Sequence, residues 1–359
     1  MSKLRIAVIF GGVSNEHEIS LISATNIISC IDDKKFEVIC IGITKKGRWF
    51  YYPGDISAIK DGSWEQSTDL VPCILSPDPA HNGFIKILPD NTTQIMRVDC
   101  VFPVLHGKNG EDGTLQGLLD LSGIPYVGCG VIASCNAMDK EKTHIVLESA
   151  GIKMTPYVAM RMDELDLIDE KCAEMEEKLS YPMFIKPANC GSSVGVSKAR
   201  TRAELESGIK AAFAHDKKVV VEKAVVGKEC ECAVMGNSAP FASTVAEIVT
   251  ASDFYDYEAK YQSDDCQFYM PARISDQMIE KVREQAVKAY RALECTGLTR
   301  VDFFVCDNGE IILNEPNTLP GFTAISMYPQ LMKHSGIGGN ALVEELIRLA
   351  FERAQVSYE

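Results

Sequence analysis

The chain has 359 residues, 46% of them apolar, which fits two or three packed domains and excludes a disordered or fibrous protein. Its 36 Lys+Arg against 50 Asp+Glu give a formal charge of −14, which argues against a protein that tracks a nucleic-acid backbone. A local lysine cluster can still hold a nucleotide against that background. The thirteen cysteines are scattered, with no CxxC pair and no Cys/His cluster at zinc spacing, so they read as free thiols of a reducing compartment. No apolar run approaches the ~18 residues of a membrane span. The chain reads as soluble and cytoplasmic, without a nucleic-acid or membrane partner.

Residues 5–10 form a short apolar, β-branched run, which predicts a buried strand. Gly11-Gly12 then turns the chain, and Ser14 is the predicted N-cap of a helix over 15–31 carrying Ile19, Ile22, Ile27 and Ile31. A strand over 36–43 completes a βαβ unit and predicts a parallel sheet. Residues 50–95 mix Gly, Pro, Asp and Asn with short apolar runs and read as a loop-rich insertion. A strand over 98–105, a helix over 113–121 and a short strand over 125–127 follow.

From about residue 136 a helix with Lys140 and Lys142 near its start runs to Gly151. After a polar stretch come a strand over 183–187, a Gly/Ser loop over 191–195, a helix over 201–214 and a strand over 219–225. The last third alternates strands (229–236, 242–249, 299–306, 310–316) with helices (275–294, 339–355). Gly128-Cys129-Gly130-Val131-Ile132-Ala133 fits G-x-G-x-x-A, but it lies deep in the chain and reads as a tight interdomain turn. Boundaries fall near 130 and 226, giving an N-terminal α/β domain (1–130), a central lobe (131–226) and a C-terminal lobe (227–359).

The hairpin near the end allows geometry to be derived. Asn308-Gly309 is a strong two-residue hairpin signal. With those two as the loop, Asp307 pairs with Glu310, and counting back places Asp302 directly opposite Glu315. Like charges so placed repel, and Asn317 shares their face. Two carboxylates and an amide oxygen, with no cation nearby in sequence, point to a bound hard cation such as Mg²⁺ or Mn²⁺. Lys186 ends an apolar strand ahead of the Gly191–Gly195 loop, whose N–H groups and hydroxyls suit a phosphate. Glu222-Lys223, with Glu229 after a Gly turn, could take ribose hydroxyls or an adenine amino group. Two polar clusters, Gly11–Glu18 and Leu105–Gly113, sit at the carboxyl ends of strands, where open α/β sheets place ligands. Helix capping accounts for Ser14 and Asp112, but not for Glu16, His106 or Glu111.

Together these stretches resemble the D-alanine–D-alanine ligase family of the ATP-grasp fold. The matching segments are Gly11–Ser20, His106–Gly117, Met138-Asp139-Lys140, Lys186–Gly195, Tyr255–Tyr261, Arg300-Val301-Asp302, Asn314–Thr323 and Ser326–Pro329, which span nearly the whole chain. The resemblance implies an α/β fold, α+β in its ATP-binding part, with three domains and a parallel-sheet N-terminal unit. It implies that ATP activates one D-alanine as an acyl phosphate, which the amine of a second D-alanine attacks. The implied product is D-alanyl-D-alanine, for peptidoglycan precursor synthesis, and the implied assembly is a homodimer.

The resemblance also implies roles. Lys140, Lys186 and Ser193 would hold phosphates, while Glu222, Lys223, Val225 and Glu229 would hold adenine and ribose. Asp302, Glu315 and Asn317 would hold two Mg²⁺ ions, for which Mn²⁺ could substitute. Glu16 would anchor the first D-alanine's ammonium beside Ser192 and Tyr261. Arg300 and the Gly321 N–H would stabilise the oxyanion, Ser326 would hold the second carboxylate, and His106 would line the first-substrate side. Residues 250–270, with Lys260, would form a lid. Related D-alanine–D-serine ligases are the alternative, and Met327 after Ser326 suits a methyl group better than D-serine's hydroxyl. Cys190 and Pro316 depart from the family pattern.

Overall fold

The computed structural model describes residues 3–249 and 267–358. Leu4–Gly11 (β1), His17–Cys30 (α1) and Phe36–Ile43 (β2) form the predicted βαβ opening, and β1 and β2 pair in parallel. Ser14 is not the N-cap. The helix starts at His17, and the Ser14 Oγ accepts from the Glu16 N–H at 3.1 Å in a local turn. That turn presents Glu16 at the carboxyl end of β1.

Residues 50–95 are not a loop-rich insertion. Trp49–Tyr52 (β3), a helix over Ile56–Lys60 (α2), Val71–Leu75 (β4), Gly83–Ile87 (β5) and Thr93–Arg97 (β6) extend the sheet antiparallel from β2. Cys100–Val104 (β7) pairs in parallel with the other side of β1, giving the order β6-β5-β4-β3-β2-β1-β7. The strands are only four or five residues long and break at Gly and Pro, so no periodicity builds up. Trp64 anchors the segment. It is fully buried and edge-on to Phe10 at 5.2 Å. A Cβ on Gly42 would stand 2.3 Å from its ring, so that strand position must be glycine.

Thr114–Ser122 (α3) leads to Val131–Met138 (α4) and Lys140–Ser149 (α5). The helix expected from about 136 is broken at Asp139. The Asp139 side chain caps α5 by accepting from the Lys142 N–H at 3.2 Å, which leaves Lys140 at the helix's first position. The polar stretch that follows holds two unanticipated elements, Tyr157–Arg161 (β8) and Ile168–Leu179 (α6), the latter burying Cys172, Met175 and Leu179. Met183–Pro187 (β9), Ser197–Ala199 (β10), Arg202–Ala212 (α7) and Lys218–Lys223 (β11) complete an antiparallel sheet ordered β10-β9-β11-β8. The Gly/Ser loop joins β9 to β10.

Lys228–Gly236 (β12), Phe241–Val249 (β13), Gln267–Tyr269 (β14), Asp276–Ala292 (α8), Gly297–Val305 (β15) and Ile311–Asn317 (β16) follow. The sheet order is β14-β13-β12-β15-β16. Cys230 and Cys232 point into the core against Val282, Ala286 and Ala289 of α8. Met327–His334 (α9) and Asn340–Ala354 (α10) close the chain, and Leu342, Leu346 and Ala350 share a core with Ile6, Val8 and Phe102 of the first sheet. The Gly128–Gly130 turn belongs to this junction: the Gly128 carbonyl accepts from Thr296 Oγ1 at 3.0 Å and from Arg353. A Cβ on Gly297 would stand 3.0 Å from the Gly128 nitrogen. Among the described residues, no helix is long and apolar enough to cross a membrane.

The hairpin reaches its predicted pairing by an unpredicted route. Asp302 does face Glu315. The loop, however, is three residues long: Gly309 N–H donates to the Cys306 carbonyl at 2.9 Å, and Cys306, not Asp307, pairs with Glu310. Val305–Ile311 through Phe303–Leu313 are therefore one residue out of the expected register, and a bulge at Asn314 restores it. Pro316 sits on the outermost strand, where a missing N–H is tolerated. Gly309 carries the turn's left-handed conformation (φ 84°) with nothing nearer than Met278 Cε at 3.9 Å. Gly309→Ala should therefore lower stability by about 1 kcal/mol through backbone strain alone, read as a lower denaturation midpoint with unchanged m-value.

Candidate active site

Two clefts meet where the three sheets converge. The larger, of about 290 Å³, has Phe184, Val225 and Ile248 on its apolar walls and Lys186, Lys223, Glu222 and Glu229 among its charged groups. The smaller, of about 80 Å³, is lined by Glu16, His106, Glu111, Arg300, Asn317 and Gly321. Lys140, Cys190, Ser192 and Glu315 line both and so mark the junction.

The register of the C-terminal sheet builds one wall. Glu231 on β12, Asp302 on β15 and Glu315 on β16 stand side by side across three strands. Arg300, two residues along β15, makes this row tenable. It forks onto Asp302 (Nε–Oδ1 2.8 Å, Nη2–Oδ2 2.7 Å), and its Nε lies 3.1 Å from Glu231 Oε2. Burial works against the guanidinium's charge, but Asp302 and Glu231 hold the proton firmly. The Asn317 amide also donates to Asp302, at 3.0 Å. The sequence reading that no cation stands near the two carboxylates is thus corrected: Arg300 answers Asp302. Glu231 went unnoticed because a lone acid in a strand carries no signal until its partner strand is known.

The large cleft has its own charge cluster. Lys186 on β9 donates to Glu222 Oε2 at 2.6 Å and to the bulged Asn314 Oδ1 at 3.4 Å. Burial works against charge on Lys186, but Glu222 more than offsets it and holds the ammonium above its ordinary value. Burial alone would raise the Glu222 carboxyl, yet Lys186 and His144 hold it down at about 2. His144 contributes through Nε2, 3.1 Å from Glu222 Oε1. Lys140 donates to the Cys190 carbonyl at 2.8 Å; burial pulls its ammonium below the ordinary value, with Glu315 opposing. The Gly191–Val194 turn carries Ser192 and Ser193 at φ 48° and 59°, closed by Val194 N–H to the Gly191 carbonyl at 3.1 Å. Two non-glycine residues in the left-handed region cost roughly 1 kcal/mol or more each, and the turn places the Ser192 hydroxyl on Glu16 Oε1.

In the small cleft, His106 Nδ1 is 3.0 Å from the Leu319 carbonyl and Nε2 is 3.3 Å from Ser23 Oγ. Burial holds this imidazole below its ordinary value, with Glu16 opposing. Glu111 accepts from the Gly107 and Leu319 N–H groups at 2.6 and 3.2 Å. Burial, then Glu16, pushes its carboxyl up to about 8.

Glu16, His106, Ser192, Arg300, Gly321, Asp302, Glu315 and Asn317 therefore converge, as do Lys140, Lys186, Ser193, Glu222, Lys223, Val225 and Glu229 around the large cleft. Ser326 and Met327 line neither. Ser326 Oγ accepts from the Thr323 N–H at 3.0 Å, and Met327 packs into the core behind it at the start of α9. Lys260 and Tyr261 lie outside the described residues. His144 and Asn314 were missed: a helix histidine reads as core, and Asn314 faces the cleft only because of the bulge.

Comparison with known proteins places the chain in one family. A family model described as D-ala D-ala ligase N-terminus matches residues 5–129, and one described as D-ala D-ala ligase C-terminus matches 146–348. A D-alanine–D-alanine ligase of Ruminiclostridium cellulolyticum is 48% identical over 98% of this chain and 96% of its own. One of Acetivibrio thermocellus is 47% identical with the same coverage. Among solved structures, the VanG D-Ala:D-Ser ligase from Enterococcus faecalis superposes with a TM-score of 0.89 at 42% identity, covering 97% of this chain and 100% of its own. The D-alanine–D-alanine ligase from Coxiella burnetii gives 0.86 at 32% identity, covering 99% and 96%.

The Glu222 cluster carries a pH signature. Its carboxyl is depressed in the folded chain, so the stability it contributes is present above about pH 4.5 and lost as pH falls toward 2. Denaturant titrations across that range should show the parent losing its advantage over Glu222→Gln, on the order of 3 kcal/mol in all.

Proposed function

The chain belongs to the D-alanine–D-alanine ligase family, which has the ATP-grasp fold, and from that premise we propose that its two clefts join two D-alanine molecules at the expense of ATP. The observation that carries this reading is the junction itself. A nucleotide-sized cleft and a small polar one share Lys140, Ser192 and Glu315, so a terminal phosphate and an amino-acid carboxylate can meet there.

In this reading Val225, Phe184 and Ile248 take the adenine, Glu229 faces the ribose, and Lys140 and Lys186 meet the phosphates. Lys223 and Ser193 border the same cleft. Glu16 takes the first D-alanine's ammonium, oriented by Ser192. The D-alanine carboxylate then attacks the terminal phosphoryl group, and the second amine attacks the resulting acyl phosphate. Arg300 stays charged throughout and, with the Gly321 N–H, faces the oxyanion as it develops. His106 and Glu111 brace Leu319, and with it the Gly321 turn, from the first domain.

Asp302, Glu315 and Asn317 offer hard oxygen donors and would hold Mg²⁺ or Mn²⁺. Among the described residues no three His, Cys, Asp or Glu cluster at metal distance. The donor set fits an ion that completes its shell with nucleotide phosphates, as Mg²⁺ does. Such an ion would neutralise charge on the transferring phosphoryl group.

A homodimer fits a row of isoleucines, Ile74, Ile85 and Ile95, in register across β4, β5 and β6 near the open sheet end, where Ile74 and Ile95 are exposed. A cytoplasmic location fits the free thiols of the described cysteines. A division near residues 130 and 226 fits the three separate sheets.

D-serine at the second position is the alternative, favoured by the VanG likeness. Incubation with ATP, D-alanine and equimolar D-serine should give D-alanyl-D-alanine as the main product. Mixed dipeptide as the main product would overturn the choice. Glu315→Ala should cut phosphate release by about 100-fold or more. Unchanged dipeptide synthesis would remove Glu315 from the metal site.

A further inference from the structure

We propose that His144 is a positioning residue for nucleotide binding, acting through Glu222 on Lys186. The inference rests on the reading of the large cleft as the ATP site. His144 lies one turn after Lys140 on α5, 2% exposed and stacked on the Tyr157 ring of β8 at 4.1 Å between centroids and 25° between planes. That stacking fixes the plane of the imidazole. An ionised Glu222 can only accept, so Nε2 carries the hydrogen in the 3.1 Å contact. The other Glu222 oxygen takes Lys186 at 2.6 Å.

Each oxygen thus has one donor, from a different element: α5 on one side, β9 on the other. Without His144, Glu222 is free to turn both oxygens toward Lys186 and draw the ammonium away from the cleft. With it, the carboxylate is pinned and Lys186 keeps donors for the nucleotide. Among the described residues His144 Nδ1 makes no hydrogen bond, and Glu148 Oε1 stands 3.8 Å from it. His144 lines neither of the two clefts; it borders a small cavity behind them with Lys140, Lys186 and Glu222, and its hydrogen-bond partner there is Glu222.

Glutamine can present an N–H near the position of histidine Nε2, whereas asparagine reaches only the Nδ1 position and leucine has no donor. The test is the ADP dissociation constant by calorimetry together with KM for D-alanine, in the full-length enzyme. His144→Leu and His144→Asn should weaken ADP about tenfold while KM for D-alanine stays within about twofold. His144→Gln should stay near the parent. In a Glu222→Gln background, His144→Leu should add nothing further. If His144→Leu does not fold, His144→Asn against His144→Gln carries the comparison. A His144→Gln as weak as His144→Asn, a parallel rise in KM for D-alanine, or additive losses with Glu222→Gln would overturn the inference. A parent that fails to bind ADP would instead refute the nucleotide reading of the cleft.

Discussion

Three carboxylates stand abreast on one sheet face, and the arrangement of the site depends on how that repulsion is relieved. Glu231, Asp302 and Glu315 occupy directly paired positions on β12, β15 and β16. Arg300 lies in the adjacent row, between Ala233 and Asn317, and reaches back to two of the three. Asp302 and Glu231 are thereby partly compensated, with one negative charge left over, and Arg300 is held between them. Glu315 is left facing the cleft junction, toward Lys140 and Lys186. A guanidinium fixed from behind by two carboxylates presents its remaining face without further ordering, which suits it to an oxyanion.

The same logic of opposed charges runs through the other cleft. Lys186, Glu222 and His144 form a linked set in which Lys186 and Glu222 hold each other charged and His144 hydrogen-bonds the second Glu222 oxygen. The formal −14 of the chain says little about this site, where lysines and acids are matched within a few ångströms. Glu111 provides a contrast. Burial first, and then the nearby Glu16, push its carboxyl up, against two backbone N–H donors and the Arg300 charge.

Much of this was legible in the sequence, for identifiable reasons. The βαβ opening carried dense β-branched runs, and the Gly/Ser loop and Lys140 lay in motifs whose chemistry needs those residues. Residues 50–95 were illegible because short strands broken by Gly and Pro leave no period to detect, and Trp64, which organises them, is one residue. The hairpin is the instructive case. Asp302 opposite Glu315 was foreseen, but through a loop one residue too short and a bulge not foreseen, two offsets that cancel. Met327, at the start of α9, packs into the core, a placement that its adjacency to Ser326 in sequence does not signal. Glu231 and His144 act through strands and helices distant in sequence, and nothing local marks them.

The central claim is that an amino-acid carboxylate in the small cleft takes the terminal phosphoryl group at the junction. Synthesis with D-alanine carrying ¹⁸O in its carboxylate tests it most directly. The account predicts one ¹⁸O atom transferred to the inorganic phosphate released with each dipeptide. Phosphate free of ¹⁸O, with dipeptide still formed, would contradict it.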